Sequence, residues 1–250
     1  MRTLLQNAES PVAATDRQAN LDFYESLWER AHLVEAERFN TWPLIQRLCA
    51  AATRRLEVAP GLRLHLPLAG TQFVELSAAA VAVLRERHAA VVRGSITALP
   101  LASACFDLVC AFDIVEHVDD DDAALAELAR VTAPAGALVL STPLHPARWT
   151  PFDAIVGHRR RFEPAPLVAK LRGHGLAVEA SAPFGMQPRA PWLTAYGMAQ
   201  LQRHRARALW WYNHVIMPLG LRLQGPLTLQ PGVLATADID EALFVCRKST

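Results

Sequence analysis

The chain has 250 residues, of which 52% are hydrophobic and 20% charged, and its formal net charge is +1. This composition is typical of a folded globular chain with one substantial core and excludes an intrinsically disordered one. The near-neutral charge provides no field that would steer the chain to nucleic acid, so no nucleic-acid partner is predicted. The longest apolar stretch, residues 208–221, is interrupted by polar residues, Pro218 and Gly220, so no stable membrane insertion is expected.

The cysteines and the N-terminal residues indicate the cellular compartment in which the protein is found. Four cysteines (Cys49, Cys105, Cys110 and Cys246) are scattered without the short spacings of a metal site, which favours buried, reduced thiols. The first 18 residues lack the long apolar core of a signal peptide. Both observations favour a cytoplasmic protein.

Helical and strand patterns alternate along residues 20–141. Apolar spacing predicts a helix from Asn20 or Asp22 through Val34 and a second helix over residues 42–52. Short apolar runs predict strands over residues 54–58, 72–76, 89–93, 106–111 and 137–141, with a helix over residues 78–87. This alternation predicts an α/β fold with a parallel sheet covered by helices on both faces.

The remainder of the chain follows a different pattern. A helix over residues 164–173 precedes an extended segment over residues 176–182, and residues 242–248 form a final strand. Between these strands lies an insertion, residues 184–241, that carries most of the Trp and Tyr residues outside the N-terminal helices, namely Trp192, Tyr196, Trp210, Trp211 and Tyr212. The chain therefore divides into an N-terminal helical cover (1–53), an α/β core (54–183), the insertion (184–241) and a final core strand (242–250).

The order of motifs between Val91 and Pro143 resembles that of a known protein family. Residues 105–109 read CFDLV, residues 112–118 read FDIVEHV, and residues 133–143 read APAGALVLSTP, at consistent spacing. This arrangement resembles the class I S-adenosylmethionine-dependent methyltransferases that act on small molecules. The resemblance implies a Rossmann-like seven-stranded sheet, S-adenosylmethionine as cofactor, and methyl transfer to an oxygen, nitrogen or carbon atom of a small organic acceptor.

The resemblance implies cofactor contacts in two loops after strands. Glu57, Ala59 and Gly61 correspond to the family's acid and glycine-rich turn, but Ala59 and Pro60 depart from it, as does Arg63. We therefore expect a narrowed or rebuilt loop, followed by a shortened helix that Pro67 interrupts. At the end of the second strand, the Glu75 carboxylate is expected to accept both ribose hydroxyls, beside Leu76.

Two further loops complete the predicted cofactor site. Ser95 and Ile96, after the third strand, correspond to the residues that contact adenine. Phe112 and Asp113, after the fourth strand, correspond to residues that face the methionine part of the cofactor. The alternative explanations are a turn serine for Ser95 and a helix cap for Asp113.

Three histidines are candidate catalytic residues. His117, His145 and His158 lie after strands or in a turn that resembles the family pattern, where an imidazole can orient an acid or act as a base. Structural roles in their loops are the competing interpretation. No metal site is predicted, because the acidic run 119–122 is explained by its position before a helix, where negative charge favours the N-terminus.

The insertion is expected to form a wall over the ligand edge of the sheet and to determine the acceptor. One or two of Trp210, Trp211 and Tyr212 should line the pocket, and the others should pack inward or pair with a second subunit in a homodimer. His145 and Arg148 are expected to face them. Two alternatives stay open: a non-catalytic protein of this fold that binds a metabolite or a protein partner, and an enzyme that uses the cofactor's charge without methyl transfer.

Overall fold

The computed structural model describes residues 23–29, 31–185 and 191–250. Its described strands are β1 Arg55–Val58, β2 Thr71–Glu75, β3 Ala90–Arg93, β4 Phe106–Phe112, β5 Thr132–Pro143, β6 Leu176–Pro183, β7 Gln230–Pro231 and β8 Glu241–Lys248. They form one sheet in the order β3-β2-β1-β4-β5-β8-β6-β7. Strands β1 to β5 pair in parallel, whereas β8 is antiparallel to both β5 and β6. The predicted α/β sheet is confirmed, with β7 as an additional two-residue edge strand.

Helices cover both faces of the sheet. The described α-helices are α1 over residues 23–28, α2 Trp42–Ala51, α3 Ala78–Glu86, α4 Asp121–Val131, α5 Pro151–Val156, α6 Pro164–Gly173, α7 Pro191–Arg203, α8 Arg205–Trp211 and α9 Met217–Leu223. Leu125 of α4 and Leu167 of α6 belong to the apolar core on one face, and Ile45 of α2 belongs to the core on the other. Strand β1 lies between these layers, which explains why consecutive residues in it are buried.

Helix caps in the α/β core agree with the sequence. The Ser77 hydroxyl accepts a hydrogen bond from the backbone N–H of Ala80 and begins α3. The Asp120 carboxylate accepts one from the N–H of Ala123 and begins α4. The acidic run 119–122 thus lies at a helix N-terminus, as predicted.

The N-terminal helix is shorter than its apolar spacing predicts. The chain is helical over residues 23–28 and is extended at Val34, which forms a parallel bridge with Arg63. The N–H of Val34 donates to the carbonyl of Leu62 at 2.8 Å, and the N–H of Leu64 donates to the carbonyl of Val34 at 2.9 Å. The prediction of a helix through Val34 was wrong because pairing with this distant segment replaces the helical hydrogen bonds.

The connection between β1 and β2 contains no helix: residues 59–70, all of them described, form turns and extended chain. Leu62, Leu64 and Leu66 are fully buried at alternate positions. This period of two is typical of an extended segment and disfavours a helix, as does Pro67. The shortened helix expected after the loop is not formed, whereas the rebuilding of the loop relative to the family pattern stays a prediction.

The described part of the insertion folds mainly into α7, α8 and α9, with a π-helical turn at Tyr212–Ile216 between α8 and α9. Leu209 of α8 is buried in an apolar cluster with Leu27 and Trp28 of α1. The side chain of Trp192 lies outside the described residues. None of the described helices has both the length and the hydropathy needed to cross a membrane.

Candidate functional site

The predicted cofactor residues follow the carboxyl ends of the parallel strands. Ala59 and Gly61 follow β1, Glu75 ends β2, Ser95 follows β3 and Asp113 follows β4. In open α/β sheets this edge is where ligands bind, in the crevice where the strand order reverses. Here the reversal lies between β1 and β4, which begin the two halves of the sheet.

Glu75 connects two loops at this edge. Its side chain is 5% exposed, and its two carboxylate oxygens accept hydrogen bonds from the N–H of Gly61 and the N–H of Ser77, each at 2.8 Å. Burial raises the pKa of the Glu75 carboxyl, while the backbone hydrogen bonds oppose the rise. Each carboxylate oxygen has a second lone pair, so the group can still accept a hydroxyl where it meets one.

Glu57 holds the rebuilt loop from inside. Its carboxylate accepts hydrogen bonds from the N–H of His65 and the N–H of Leu66, both at 2.9 Å, and the residue is 1% exposed. Burial raises the pKa of Glu57 to about 8, against the effect of these hydrogen bonds. In this conformation Glu57 supports the loop through its backbone and presents no open carboxylate to a ligand.

Trp28 lies directly against Gly61. The glycine has φ +54°, and a Cβ atom at this position would stand 2.1 Å from Cζ2 of the indole. The guanidinium carbon of Arg63 lies 5.3 Å from the centroid of the Trp28 ring and 5.0 Å from that of Tyr212, which is consistent with cation–π contacts. The glycine loop is therefore covered by an aromatic and cationic layer that the motif pattern did not reveal.

Helix α1 is held over this edge by a carboxylate as well. The two oxygens of Glu25 accept hydrogen bonds from the N–H of Ala78 at 2.7 Å and the N–H of Ala79 at 2.9 Å. These amides belong to the first turn of α3, where a negative charge is favourable. Glu25 and Trp28 together place α1 across the predicted cofactor site.

The residues predicted to surround adenine differ in exposure. Leu76 is exposed, Ile96 is buried and Ser95 is half-buried, with its hydroxyl 2.9 Å from the hydroxyl of Thr97. Gly94, which directly precedes Ser95, donates its N–H to the carbonyl of Glu75, so the loop after β3 lies next to the end of β2. Their contact with a cofactor stays a prediction.

Phe112 contacts a histidine that sequence reasoning missed. The rings of Phe112 and His65 stack with centroids 3.8 Å apart, and Phe39 packs 4.3 Å from the same imidazole. The hydroxyl of Thr41 lies 3.0 Å from His65 Nδ1. Burial lowers the pKa of His65 to about 3, so this imidazole is neutral at physiological pH.

Carboxylates cluster at the ends of β4 and β8. Asp113 has φ +46°, and its carboxylate accepts a hydrogen bond from the Ser141 hydroxyl at 2.6 Å. The fully buried Glu116 accepts one from the Thr142 hydroxyl at 3.3 Å through Oε2, whereas its Oε1 has no hydrogen-bond partner among the described residues. Burial and the nearby charge of Asp113 raise the pKa of Glu116 well above its usual range. Glu241 is affected in the same way, by burial and then by the charges of Asp113 and Glu116.

The structure brings His117 and His158 together, with ring centroids 4.7 Å apart. His117 Nδ1 lies 3.3 Å from the carbonyl oxygen of Gly157, and its Nε2 lies 3.3 Å from the hydroxyl of Tyr24 in α1. Burial lowers the pKa of His117 to about 3, so the ring is neutral. A carbonyl oxygen only accepts, so the hydrogen of this neutral ring is on Nδ1 and its Nε2 accepts from Tyr24.

His158 is held by a buried carboxylate. Its Nδ1 lies 2.9 Å from Oδ1 of Asp153, which also accepts a hydrogen bond from Nε of Arg161 at 2.8 Å. Burial opposes ionisation of Asp153, but the hydrogen bonds from His158, Arg161 and Thr150 outweigh it and hold the pKa of this carboxyl below its ordinary range. Asp153 is therefore an ionised acceptor, and His158 donates to it from Nδ1.

His145 lies in a separate set of contacts. Its Nε2 is 2.8 Å from the carbonyl oxygen of Thr236, and its backbone has φ +61°. Arg148 forms an ion pair with Asp240 at 2.8 Å. Both residues contact the 236–240 segment of the insertion, and these contacts, unlike the predicted ones, do not involve its aromatic helices.

The aromatic residues of the insertion divide between the surface and the interior. Trp210 and Trp211 are 48% and 51% exposed, and Trp210 stacks on His214 with centroids 4.7 Å apart. Tyr212 turns inward under Arg63, as described above. The expectation that these three side chains point in different directions is confirmed; their contact with an acceptor stays a prediction.

Residues 57–140 match the model of a family described as "Methyltransferase domain". A protein from Mycolicibacterium smegmatis, named "Probable S-adenosylmethionine-dependent methyltransferase", is 36% identical over 107 residues. The matching segment covers 40% of this chain and 41% of that relative's length. The matched segment contains the end of β1, all of β2 to β4 and most of β5, and therefore most of the candidate site.

Solved structures share the fold over most of the chain. A SAM-dependent methyltransferase from Thermotoga maritima is similar with a TM-score of 0.57 at 16% identity, covering 86% of this chain and 91% of that one. The cyclase SpnF is similar with a TM-score of 0.51 at 18% identity, covering 83% and 80%. The predicted resemblance is confirmed at the level of the fold: the chain has the class I S-adenosylmethionine-dependent methyltransferase fold, and residues 57–140 match the methyltransferase domain.

Proposed function

We propose that this protein binds S-adenosylmethionine at the carboxyl ends of β1, β2 and β4 and transfers its methyl group to a small organic acceptor. The observation that carries the proposal is the Glu75 carboxylate at the end of β2, joined through Gly61 to the loop after β1 within a methyltransferase domain. A carboxylate at this strand end can accept the two hydroxyls of a ribose.

The other proposed cofactor contacts follow the strand ends in order. Ala59 and Gly61 would lie along the amino-acid part of the cofactor, and Leu76 with Ser95 and Ile96 would enclose the adenine. Phe112 and Asp113 would lie between the methyl donor and the acceptor. Glu57 would act through the loop that it supports, because its carboxylate already accepts two backbone N–H groups.

Cofactor entry would require α1 to move, because the Trp28 indole fills the space above Gly61. Helix α1 is held near the site by hydrogen bonds between Glu25 and α3 and between Tyr24 and His117, and by the burial of Leu27 and Trp28. Each hydrogen bond is worth about 0.5–1.5 kcal/mol and each buried apolar side chain about 1.5–3 kcal/mol, which a bound cofactor would have to offset. Displacement of α1 would also open the edge where the acceptor has to reach the methyl group.

Methyl transfer needs alignment and exclusion of water more than acid–base chemistry. When bound, S-adenosylmethionine would supply an activated methyl group on a sulfonium, which the acceptor atom would take as the carbon–sulfur bond breaks to leave a neutral thioether. Neutral His117, with a lone pair on Nε2, would accept a hydrogen bond from an acceptor hydroxyl or ammonium and orient it, whereas its lowered pKa makes it a weak base. His158 would orient the neighbouring groups, and His145 would shape the acceptor side through the 236–240 segment.

The direct test is calorimetric titration of the full chain with S-adenosylmethionine and with S-adenosylhomocysteine. We expect both to bind at one site, and we expect labelled methyl groups to be transferred to a member of a panel of small hydroxyl, amine and thiol acceptors. Binding without transfer to any acceptor would favour the alternative of a non-catalytic metabolite-binding protein. Absence of binding at millimolar cofactor would refute the proposal.

A further inference from the structure

The buried cluster beneath α1 contains three ligand atoms that converge. Glu116, His117 and His158 each offer one ligand atom, and these atoms all lie within 4.8 Å of one another. Two imidazole nitrogens and one carboxylate oxygen form a donor set that suits zinc and other first-row divalent metals better than magnesium or calcium, which prefer oxygen ligands.

The hydrogen bonds of both histidines leave the same nitrogen available. His158 donates from Nδ1 to Asp153, and His117 donates from Nδ1 to the carbonyl oxygen of Gly157. In the neutral rings, both Nε2 atoms therefore carry a lone pair. Metal-bound histidines are generally held in this way, with the distal nitrogen donating to a carboxylate or a backbone carbonyl.

The same cluster contains a buried carboxylate oxygen without a hydrogen-bond partner. Glu116 is fully buried, and its Oε1 has no hydrogen-bond partner among the described residues. The distance from this oxygen to Nε2 of His158 is 3.9 Å, too long for a hydrogen bond. A buried carboxylate oxygen without a donor is costly, and a bound cation would remove that cost.

Other groups pack around the cluster and constrain it. The guanidinium of Arg161 donates a hydrogen bond to Asp153, the carboxylate that holds His158. Tyr24, whose hydroxyl lies 3.3 Å from His117 Nε2, would have to give up that hydrogen bond when the metal binds.

We propose that Glu116, His117 and His158 form a binding site for a divalent transition-metal ion, with Asp153 as the positioning residue for His158. The site contains none of the residues proposed to bind the cofactor, but it shares His117 and His158 with the proposed acceptor side, so a metal on His117 Nε2 would replace the role proposed there for that nitrogen. A binding measurement that uses the metal alone can still fail or succeed independently of the proposed function.

The experiment uses the full chain without a histidine tag, stripped with EDTA. We expect calorimetry with ZnCl₂ to show one equivalent bound, and CoCl₂ to give visible absorption bands from nitrogen and oxygen coordination. Glu116→Gln and His158→Gln should each weaken binding at least 100-fold, and Asp153→Asn should weaken it roughly 10- to 100-fold. His174→Gln, which alters a histidine paired with Asp122 on the exposed side of α4, should bind the metal as the unmodified chain does.

A second measurement keeps the proposal testable if a variant folds poorly. Glu116→Gln removes one of the proposed ligands, so added ZnCl₂ should not raise the melting temperature of this variant. The unmodified chain should instead melt higher when ZnCl₂ is present. No cobalt bands at millimolar CoCl₂, or equal affinity in the unmodified chain and both ligand variants, would overturn the proposal.

Discussion

The indole of Trp28 occupies the position that a side chain at Gly61 would need, with 2.1 Å between Cζ2 and the expected Cβ atom. This contact joins α1 to the loop after β1, at the point where the cofactor is proposed to lie. Position 61 therefore favours glycine for two reasons. Its backbone is left-handed, and the Trp28 indole leaves no room for a Cβ atom.

Gly61→Ala should therefore destabilise the protein more than a glycine replacement that introduces backbone strain alone. The control is Gly232→Ala, where φ is +67° and no described atom lies within 4 Å of the expected Cβ atom. We expect the control to lose about 1–2 kcal/mol and Gly61→Ala to lose at least about 1 kcal/mol more in urea unfolding. Equal losses would show that Trp28 moves aside without cost.

Trp28→Leu should increase the affinity for S-adenosylmethionine. The smaller side chain leaves the space above Gly61 open, so the protein no longer has to displace an indole before binding. We expect the dissociation constant to fall about tenfold, equivalent to about 1.4 kcal/mol. Trp210→Leu, at an exposed indole, is the matched control. Weaker binding by Trp28→Leu would mean that Trp28 lines the cofactor pocket instead of filling it.

Glu75→Gln should weaken S-adenosylmethionine binding roughly 5- to 150-fold, which corresponds to about 1–3 kcal/mol for a lost charged acceptor. The amide retains one acceptor oxygen, so the variant should stay folded, and circular dichroism can check this. Glu86→Gln, an exposed carboxylate on α3, should leave the affinity unchanged. An unaltered affinity in a folded Glu75→Gln would remove this residue from the site.

His65 should make the stability depend on pH in the acid range. Its pKa is lowered from 6.5 to about 3 in the folded protein, so the unfolded chain binds the additional proton. The stability that neutral His65 contributes is present above pH 6.5 and is lost as pH falls toward 3. The destabilisation caused by His65→Gln should then shrink by about 2 kcal/mol between pH 7 and pH 5.

Urea unfolding at both pH values measures this difference. Leu62→Ala, at a fully buried residue of the same loop that does not titrate, should cause a destabilisation that changes little with pH. If the effect of His65→Gln were equally constant, His65 would be protonated in the folded state or accessible to water.

The sequence was sufficient for the parts of the fold that depend on local patterns. Apolar runs located β1 to β5, and the acidic run 119–122 located the start of α4. The strand-end acid Glu75 was identified because its position follows from the strand pattern. These features need only the residues nearby, so they can be read from the chain.

Features that depend on distant segments could not be predicted. Val34 was assigned to a helix because its pairing with the 62–64 segment is not visible in local spacing. The contact between His117 and His158, which lie 41 positions apart in the sequence, depends on the turn after α5. The alternation of Leu62, Leu64 and Leu66 was a usable signal for extended chain that the interpretation of the glycine motif obscured.

The position of β8 between β5 and β6 has a consequence during protein synthesis. The edge of β5 has to wait for β8, which is translated about 100 residues later, and at 5–20 residues per second this takes about 5–20 s. During this interval a long, apolar strand has one unpaired edge, which is a template for pairing with another chain. The nascent protein should therefore depend on chaperones or rapid translation over residues 144–241 more than a protein whose neighbouring strands follow one another.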